Sequence, residues 1–299
     1  MLLQIGSQLF EWGSRTYLMG ILNVTPDSFS GDGLMPSVLS ARQGLDRALA
    51  QAGAFLAAGA DILDIGGEST RPGSNVVEAE EELERVIPVI SAIAREYPSA
   101  VISVDTYKAR VAAEALSAGA HIVNDVWGLR ADSDLAAVVA KNQAPVILMH
   151  NRSTPANARI QEKLGGRYEG MHYTDLVADV CAELMESVSL ARQAGLSEDK
   201  IILDPGIGFG KTTQQNLELV NRLADIRALG FPILLGPSRK SFIGYTLNLP
   251  PDQRIEGTAA AVAVGIARGA DIIRVHDVAV MARVVRMTDA MVRPAAHSA

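Results

Sequence analysis

The chain has 299 residues, with 34 acidic against 27 basic side chains, a formal net charge of −7, 48% apolar residues and 20% charged ones. That apolar share supports a large packed core and excludes a disordered chain. The negative balance repels a polyanion, which excludes nucleic acid as a partner and means that an anionic ligand needs a local cluster of cations.

The N-terminus lacks a basic region followed by an apolar run, so no signal peptide is expected. No apolar stretch is long enough for a bilayer, so no membrane partner is expected either. Residues 1–16 read as a β-hairpin, two apolar-alternating runs split by Gly6-Ser7, and we expect it to cover one end of the fold. Eight short, uniformly apolar runs follow, at 18–23, 62–65, 101–104, 121–124, 145–149, 201–203, 232–235 and 272–275. Their uniformity predicts strands buried on both faces, as in a parallel sheet. Between them lie helical patterns at 38–58, 78–96, 175–194, 214–229 and 253–268. Gly59, Gly119, Gly195, Gly230 and Gly269 stand where left-handed helix caps belong. The segment 151–171 has no clear period and reads as a rim loop with a short helix, and 294–299 reads as a flexible tail. No linker interrupts the chain, so one domain over 1–299 is expected. A strand–helix unit repeated eight times with right-handed crossovers closes most simply as a (β/α)₈ TIM barrel.

Polar residues collect at the end of each apolar run. Asn23, Asp64, Asp105, Asn124 with Asp125, His150, Asp204, Ser238 to Lys240, and Arg274 with His276 occupy those ends. In a barrel all of them face the mouth at the carboxyl ends of the strands, where active sites of this fold are built. Asp64 and Asp125 are individually expected to be structural. The acids and amides suit a flat heterocycle with a guanidine-like edge, and the cations Arg71, Lys240 and Arg274 suit a phosphate. Together they point to a heterocycle carrying an anionic leaving group. The glycines of 206–210 before Lys211 do not have the spacing of a nucleotide-binding loop, because Pro205 stands where such a loop needs glycine. The histidines lack zinc-ligand spacing. His121 reads as packing, Cys181 as buried filler, and the acidic run 78–84 as a solvated first helical turn favoured by the macrodipole. As the only cysteine, Cys181 excludes an intrachain disulfide and fits a cytoplasmic setting.

Seven ordered segments carry a resemblance. They are MGILNVTPDSFS at 19–30, GADILDIGGESTRPG at 59–73, SVDT at 103–106, AHIVND at 120–125, LDPG with GFGK at 203–211, SRK at 238–240 and IRVH at 273–276. In this order they resemble the dihydropteroate synthase family, over nearly the whole chain. The resemblance implies a Mg²⁺-dependent transferase of folate synthesis that joins a dihydropterin diphosphate to 4-aminobenzoate, and a sulfonamide target. It implies that Asp105, Asn124 and Asp204 hold the pterin, with Lys240 at its polar edge. Asn23 helps hold Mg²⁺ on the diphosphate, and Arg274 with His276 forms the anion site. Thr70 and Arg71 belong to a loop over the site, Phe29 and Pro72 flank the aminobenzoate ring, and Ser238 takes its carboxylate. Phe209 is a candidate for the pterin pocket. Asp27 is placed to stabilise positive charge developing on the reacting carbon. One departure is Gly31, where the family carries an acid. Two other readings are a methyltransferase of the same barrel superfamily, which handles no diphosphate, and a pterin-binding paralogue without catalysis. The combination of STRP, SRK and IRVH speaks against the first; the intact Asn23, Lys240 and Arg274 speak against the second, whose only support is Gly31. Ala/Val-rich helices near the C-terminus lead us to expect a homodimer.

Overall fold

In a computed structural model, which describes residues 1–25, 41–69, 74, 76–161, 163–169 and 172–293, the chain opens with an antiparallel hairpin of β1 (Leu2–Ile5) and β2 (Gln8–Glu11). Then come β3 (Tyr17–Asn23), α1 (Ala41–Ala57), β4 (Ile62–Gly66), α2 (Ala79–Glu96), β5 (Val101–Asp105), α3 (Ala109–Ser117), β6 (Ile122–Asp125), α4 (Leu135–Asn142) and β7 (Val146–Met149). A second hairpin, β8 (Ala158–Gln161) with β9 (Gly165–Tyr168), precedes α5 (Leu176–Gln193) and β10 (Ile201–Asp204). The chain continues through α6 (Thr213–Asn221), α7 (Leu223–Arg227), β11 (Leu234–Leu235), α8 (Ser241–Leu247), α9 (Ile255–Ala267), β12 (Ile272–Val275) and α10 (Val278–Val292). The tail expected at 294–299 lies outside the described residues. Among the described residues, no helix is long and apolar enough to cross a membrane.

The eight apolar runs all become strands of one parallel sheet, in the order β10-β7-β6-β5-β4-β3-β12-β11. Its two ends meet: Leu203 donates its N–H to Pro232 O at 2.9 Å and forms a parallel bridge with Ile233. The sheet is therefore a barrel, clothed by helices. β11 is shorter than its apolar run for a local reason. Pro232 has no N–H to donate, and the N–H of Ile233 goes instead to Asp271 Oδ2 at 2.9 Å. The five expected glycine caps all have φ between 92 and 113°.

Three expectations need correction. The segment 151–171 carries no α-helix among its described residues; it holds a 3₁₀ turn at Pro155–Asn157 and the β8–β9 hairpin. The hairpin exists because partners distant in sequence hold it. Tyr245 Oη donates to Gly165 O at 3.2 Å, and Arg254 Nη2 donates to Leu164 O at 3.0 Å. The pattern at 214–229 is two helices, because Arg222 departs from helical geometry between α6 and α7. The acidic run 78–84 is only partly solvated. Glu82 shares the buried face of α2 with Val86, is fully buried, and pairs with Lys108, which also holds Glu68. A buried carboxylate is tolerable there because that ammonium compensates it.

Side chains alternate between the two faces of a strand. In β5, Ile102 and Val104 join the outer core beneath the helices, while Val101, Ser103 and Asp105 point into the barrel. The lowest inward residues, Met19, Ile62, Val101, Ile122, Ile147, Ile202, Leu234 and Ile272, cluster with Leu3, Ile5, Phe10 and Trp12 of the N-terminal hairpin. The hairpin thus plugs the bottom of the barrel with an aromatic stack, Phe10 lying 4.5 Å from Tyr17 and 5.4 Å from Trp12 between ring centroids.

Candidate active site

One step up five of the strands from that apolar floor, the inward residues change character. Asp64, Ser103, Asn124, Asp204 and Arg274 stand two positions beyond Ile62, Val101, Ile122, Ile202 and Ile272, on the same face. They form a polar tier on an apolar base. Arg274 organises one side of it, with Nε 2.6 Å from Asp64 Oδ2 and Nη2 2.6 Å from Asp105 Oδ2. Asn124 Nδ2 donates to the same Asp64 oxygen at 3.2 Å. Asp64 is fully buried, and its Oδ1, like Ser103 Oγ, has no partner among the described residues. Burial pushes the Asp105 carboxyl up, with the Arg274 guanidinium working the other way. Burial also lowers Arg274, but Asp64 and Asp105 outweigh it and hold the guanidinium above its ordinary value. One cation between two buried acids is a costly arrangement unless each partner is satisfied. Two good hydrogen bonds satisfy Asp64 Oδ2 and Asp105 Oδ2, while Asp64 Oδ1 is left unmatched among the described residues.

Asp204 ends β10 on the opposite wall and accepts the Gly206 N–H at 2.7 Å. Burial raises its carboxyl; Lys240, the Gly206 N–H, Lys211 and Arg274 oppose that rise. Lys240 sits across from it, its ammonium donating to Ile207 O and lying 4.6 Å above the Phe209 ring. Burial brings Lys240 down to about 8, with Asp204 pulling it back up. Ser238 and His276 form a pair near the mouth. Ser238 Oγ accepts the His276 backbone N–H at 3.1 Å and lies 3.0 Å from His276 Nδ1. Between Ser238 and Lys240, Arg239 has φ 55°. That left-handed turn is held at three points. Its N–H donates to Thr258 Oγ1 at 3.1 Å, its carbonyl accepts Arg254 Nη1 at 2.8 Å, and its guanidinium pairs with Asp277.

The residues read from sequence as pterin contacts, Asp105, Asn124, Asp204 and Lys240, therefore share the cavity with Arg274. Two Arg274 nitrogens, expected at a diphosphate, are already committed to Asp64 and Asp105. Asn23 ends β3 at the mouth, half-buried. Asp27, Phe29, Thr70, Arg71 and Pro72, with Gly31, lie outside the described residues. Asp125, expected to be structural, caps its own turn by accepting the N–H groups of Trp127 and Leu129. His121 also packs, its Nδ1 accepting the Ile102 N–H at 3.2 Å.

Sequence reasoning placed His150 at the mouth and Lys211 in a family motif, but missed that the two pair. The Lys211 ammonium is buried, 3.0 Å from Gly206 O, 2.9 Å from Phe209 O and 2.9 Å from His150 Nδ1. This inward course agrees with the rejection of a nucleotide-binding loop. The available signal was a lysine within a glycine-rich turn directly after a strand-end acid.

Among known proteins, the family model described as "Pterin binding enzyme" matches residues 19–276. A dihydropteroate synthase of Bacillus subtilis is 50% identical over 281 residues, covering 94% of this chain and 90% of the relative. Another, of Clostridium beijerinckii, is 48% identical and covers 97% of this chain and 100% of its own length. The crystal structure of the Clostridium difficile dihydropteroate synthase in the presence of pteroic acid superposes with a TM-score of 0.84 at 47% identity, covering 95% of this chain and 99% of the other. The Yersinia pestis dihydropteroate synthase in its sulfonamide complex gives a TM-score of 0.87 at 40% identity, covering 97% and 99%.

Proposed function

The chain belongs to the dihydropteroate synthase family of pterin-binding enzymes, and from that premise we propose that it condenses (7,8-dihydropterin-6-yl)methyl diphosphate with 4-aminobenzoate, giving 7,8-dihydropteroate and diphosphate for folate synthesis. The observation that carries this reading is the meeting of Asp105, Asn124 and Asp204 with Lys240 and Arg274 in one cavity on one apolar floor. A pterin ring offers an amino-pyrimidine edge of N–H donors, which Asp204 is built to accept. Asn124 has both a donor and an acceptor for the next ring positions.

The reaction breaks the bond between the pterin methylene carbon and the diphosphate oxygen, and the bonding pair leaves with diphosphate. The arylamine nitrogen then forms the new C–N bond and loses a proton. Lys240 and His276 are the groups we assign to the departing negative charge, with Arg274 contributing through its positive field. We assign Ser238 to the aminobenzoate carboxylate and Phe209 to the pterin. The family resemblance assigns Phe29 and Pro72 to the aminobenzoate ring, Thr70 and Arg71 to substrate contact and Asp27 to offsetting positive charge on the carbon, all five outside the described residues. Holding two reactants in line supplies much of the rate advantage.

A Mg²⁺ requirement belongs to the same proposal. Among the described residues no cluster of acids and histidines would cage a metal, and Asn23, at the end of β3, offers one amide oxygen at the mouth. That donor set suits an ion carried mainly by substrate phosphates, since Mg²⁺ often takes only one or two protein ligands. When bound, it would neutralise leaving-group charge. A cytoplasmic setting is also proposed and is supported by the single cysteine. So is a homodimer. It is supported by an apolar groove between α6, α8 and α9, lined by Leu217, Phe242, Leu247 and Val264 among others. Of these, Leu217, Leu247 and Val264 are exposed.

The test is incubation of the purified chain with both substrates, with and without Mg²⁺, following diphosphate and dihydropteroate together. Stoichiometric, Mg²⁺-dependent formation of both is expected. Methyl transfer from methyltetrahydrofolate without diphosphate release would replace this reading.

A further inference from the structure

Lys211 is buried with no carboxylate in contact among the described residues, and burial pulls its ammonium well below the ordinary lysine value, with Asp204 and Glu183 pulling it back up. Such a group is destabilising unless its protons are placed. All three are: an ammonium has three donors and no acceptor, and the three partners are Gly206 O, Phe209 O and His150 Nδ1. With Nδ1 accepting, the His150 proton falls on Nε2, which lies 3.2 Å from Glu183 Oε2 but outside hydrogen-bond geometry. Burial and the nearby Lys211 charge take His150 down to about 4, so the ring is neutral and able to accept. Glu183 is in turn held by Arg152.

The 206–210 turn wraps this ammonium. Its Gly206 and Gly210 lie backbone against backbone on His150 and on Arg152 with Ser153, where a Cβ would collide. The same turn makes the contacts that fix the pterin wall. Gly206 N–H binds Asp204, Ile207 O receives Lys240, and the Phe209 ring underlies the Lys240 ammonium. The two carbonyls gripped by Lys211, at 206 and 209, bracket the one gripped by Lys240.

We propose that Lys211 is a positioning residue for pterin recognition: its buried ammonium, seated on His150, shapes the 206–210 turn and through it sets Asp204 and Lys240. The proposal deepens the synthase reading and rests on it. It also has an electrostatic side. Asp204 must be ionised to accept pterin N–H groups, and the charged groups facing it are Lys240, Lys211 and Arg274. Those facing Lys211 include Asp204, Lys240, Glu183 and Arg152. Removing the Lys211 charge makes Asp204 easier to protonate, so carboxylate is lost at a higher pH.

The experiment measures 6-hydroxymethylpterin binding by fluorescence across pH, with the full-length wild type, Lys211→Met, His150→Leu and His150→Gln. Lys211→Met is expected to bind about tenfold more weakly at neutral pH, with the acid limb of binding displaced upward by about one pH unit. His150→Leu weakens binding in the same direction, and His150→Gln, which keeps an acceptor for the ammonium, restores it. Lys211→Met binding like wild type with an unmoved acid limb overturns the proposal. If Lys211→Met does not fold, the His150 pair decides: His150→Leu binding as tightly as His150→Gln overturns it. A wild type that binds no pterin removes the synthase reading itself, a failure seen without any variant.

Discussion

Lys240 links structure to pH. Its amine loses charge as pH rises through about 8, since burial disfavours the ammonium more than Asp204 favours it. A cation needed at the substrate is then present below that value and lost above it. We expect kcat/KM to fall on an alkaline limb near pH 8. Lys240→Arg, whose charge persists, should lack that limb even if its rate is lower. A pH–rate profile of both proteins checks this, and an identical limb in the arginine variant would assign it to another group. Most of these side chains were legible in sequence because they end apolar runs, which in a barrel means the mouth. Asp64 was legible as structural but not as the residue that Arg274 and Asn124 both bind. That role depends on the registers of β4, β5 and β6 and on Arg274 arriving from β12, 210 positions away. The contact of Lys211 with His150 was illegible for the same reason, since only the packing of the β7 and β10 exits brings them together.

The turn of Ser238, Arg239 and Lys240 shows how neighbouring elements maintain an unfavourable backbone. A left-handed arginine is strained, yet it joins a side chain facing His276 to one facing Asp204. Thr258, fully buried on α9, holds its N–H, and Arg254 holds its carbonyl while gripping Leu249 O and Leu164 O. Thr258→Val keeps the shape of that side chain and removes the acceptor. We expect it to raise the aminobenzoate KM by about fivefold, equivalent to roughly 1 kcal/mol for one lost hydrogen bond, with Thr258→Ser restoring it. Steady-state kinetics in both substrates separates this from a general loss of folded protein, which would lower kcat alone. The strands and long helices around this turn could be read from periodicity. The β8–β9 hairpin could not, because its exposed residues carry no alternating pattern and its stability comes from Tyr245 and Arg254.

At the scale of the molecule, an apolar stretch of the helical coat lies uncovered between α6, α8 and α9. If a second copy covers it, Val264→Asp places a charge in the contact and should shift the chain toward monomer in sedimentation velocity. A wild type that sediments as a monomer at micromolar concentration would end the homodimer proposal.

The aromatic plug beneath the barrel has a further consequence. On each of several strands, one inward side chain packs against Phe10, Trp12 and their neighbours, and the next serves the ligand. Heat tolerance and turnover thus reside in alternate letters of the same short words. A designer can therefore harden the protein from below, by refilling the contacts of residues 3–12, while leaving the catalytic alphabet two letters higher untouched.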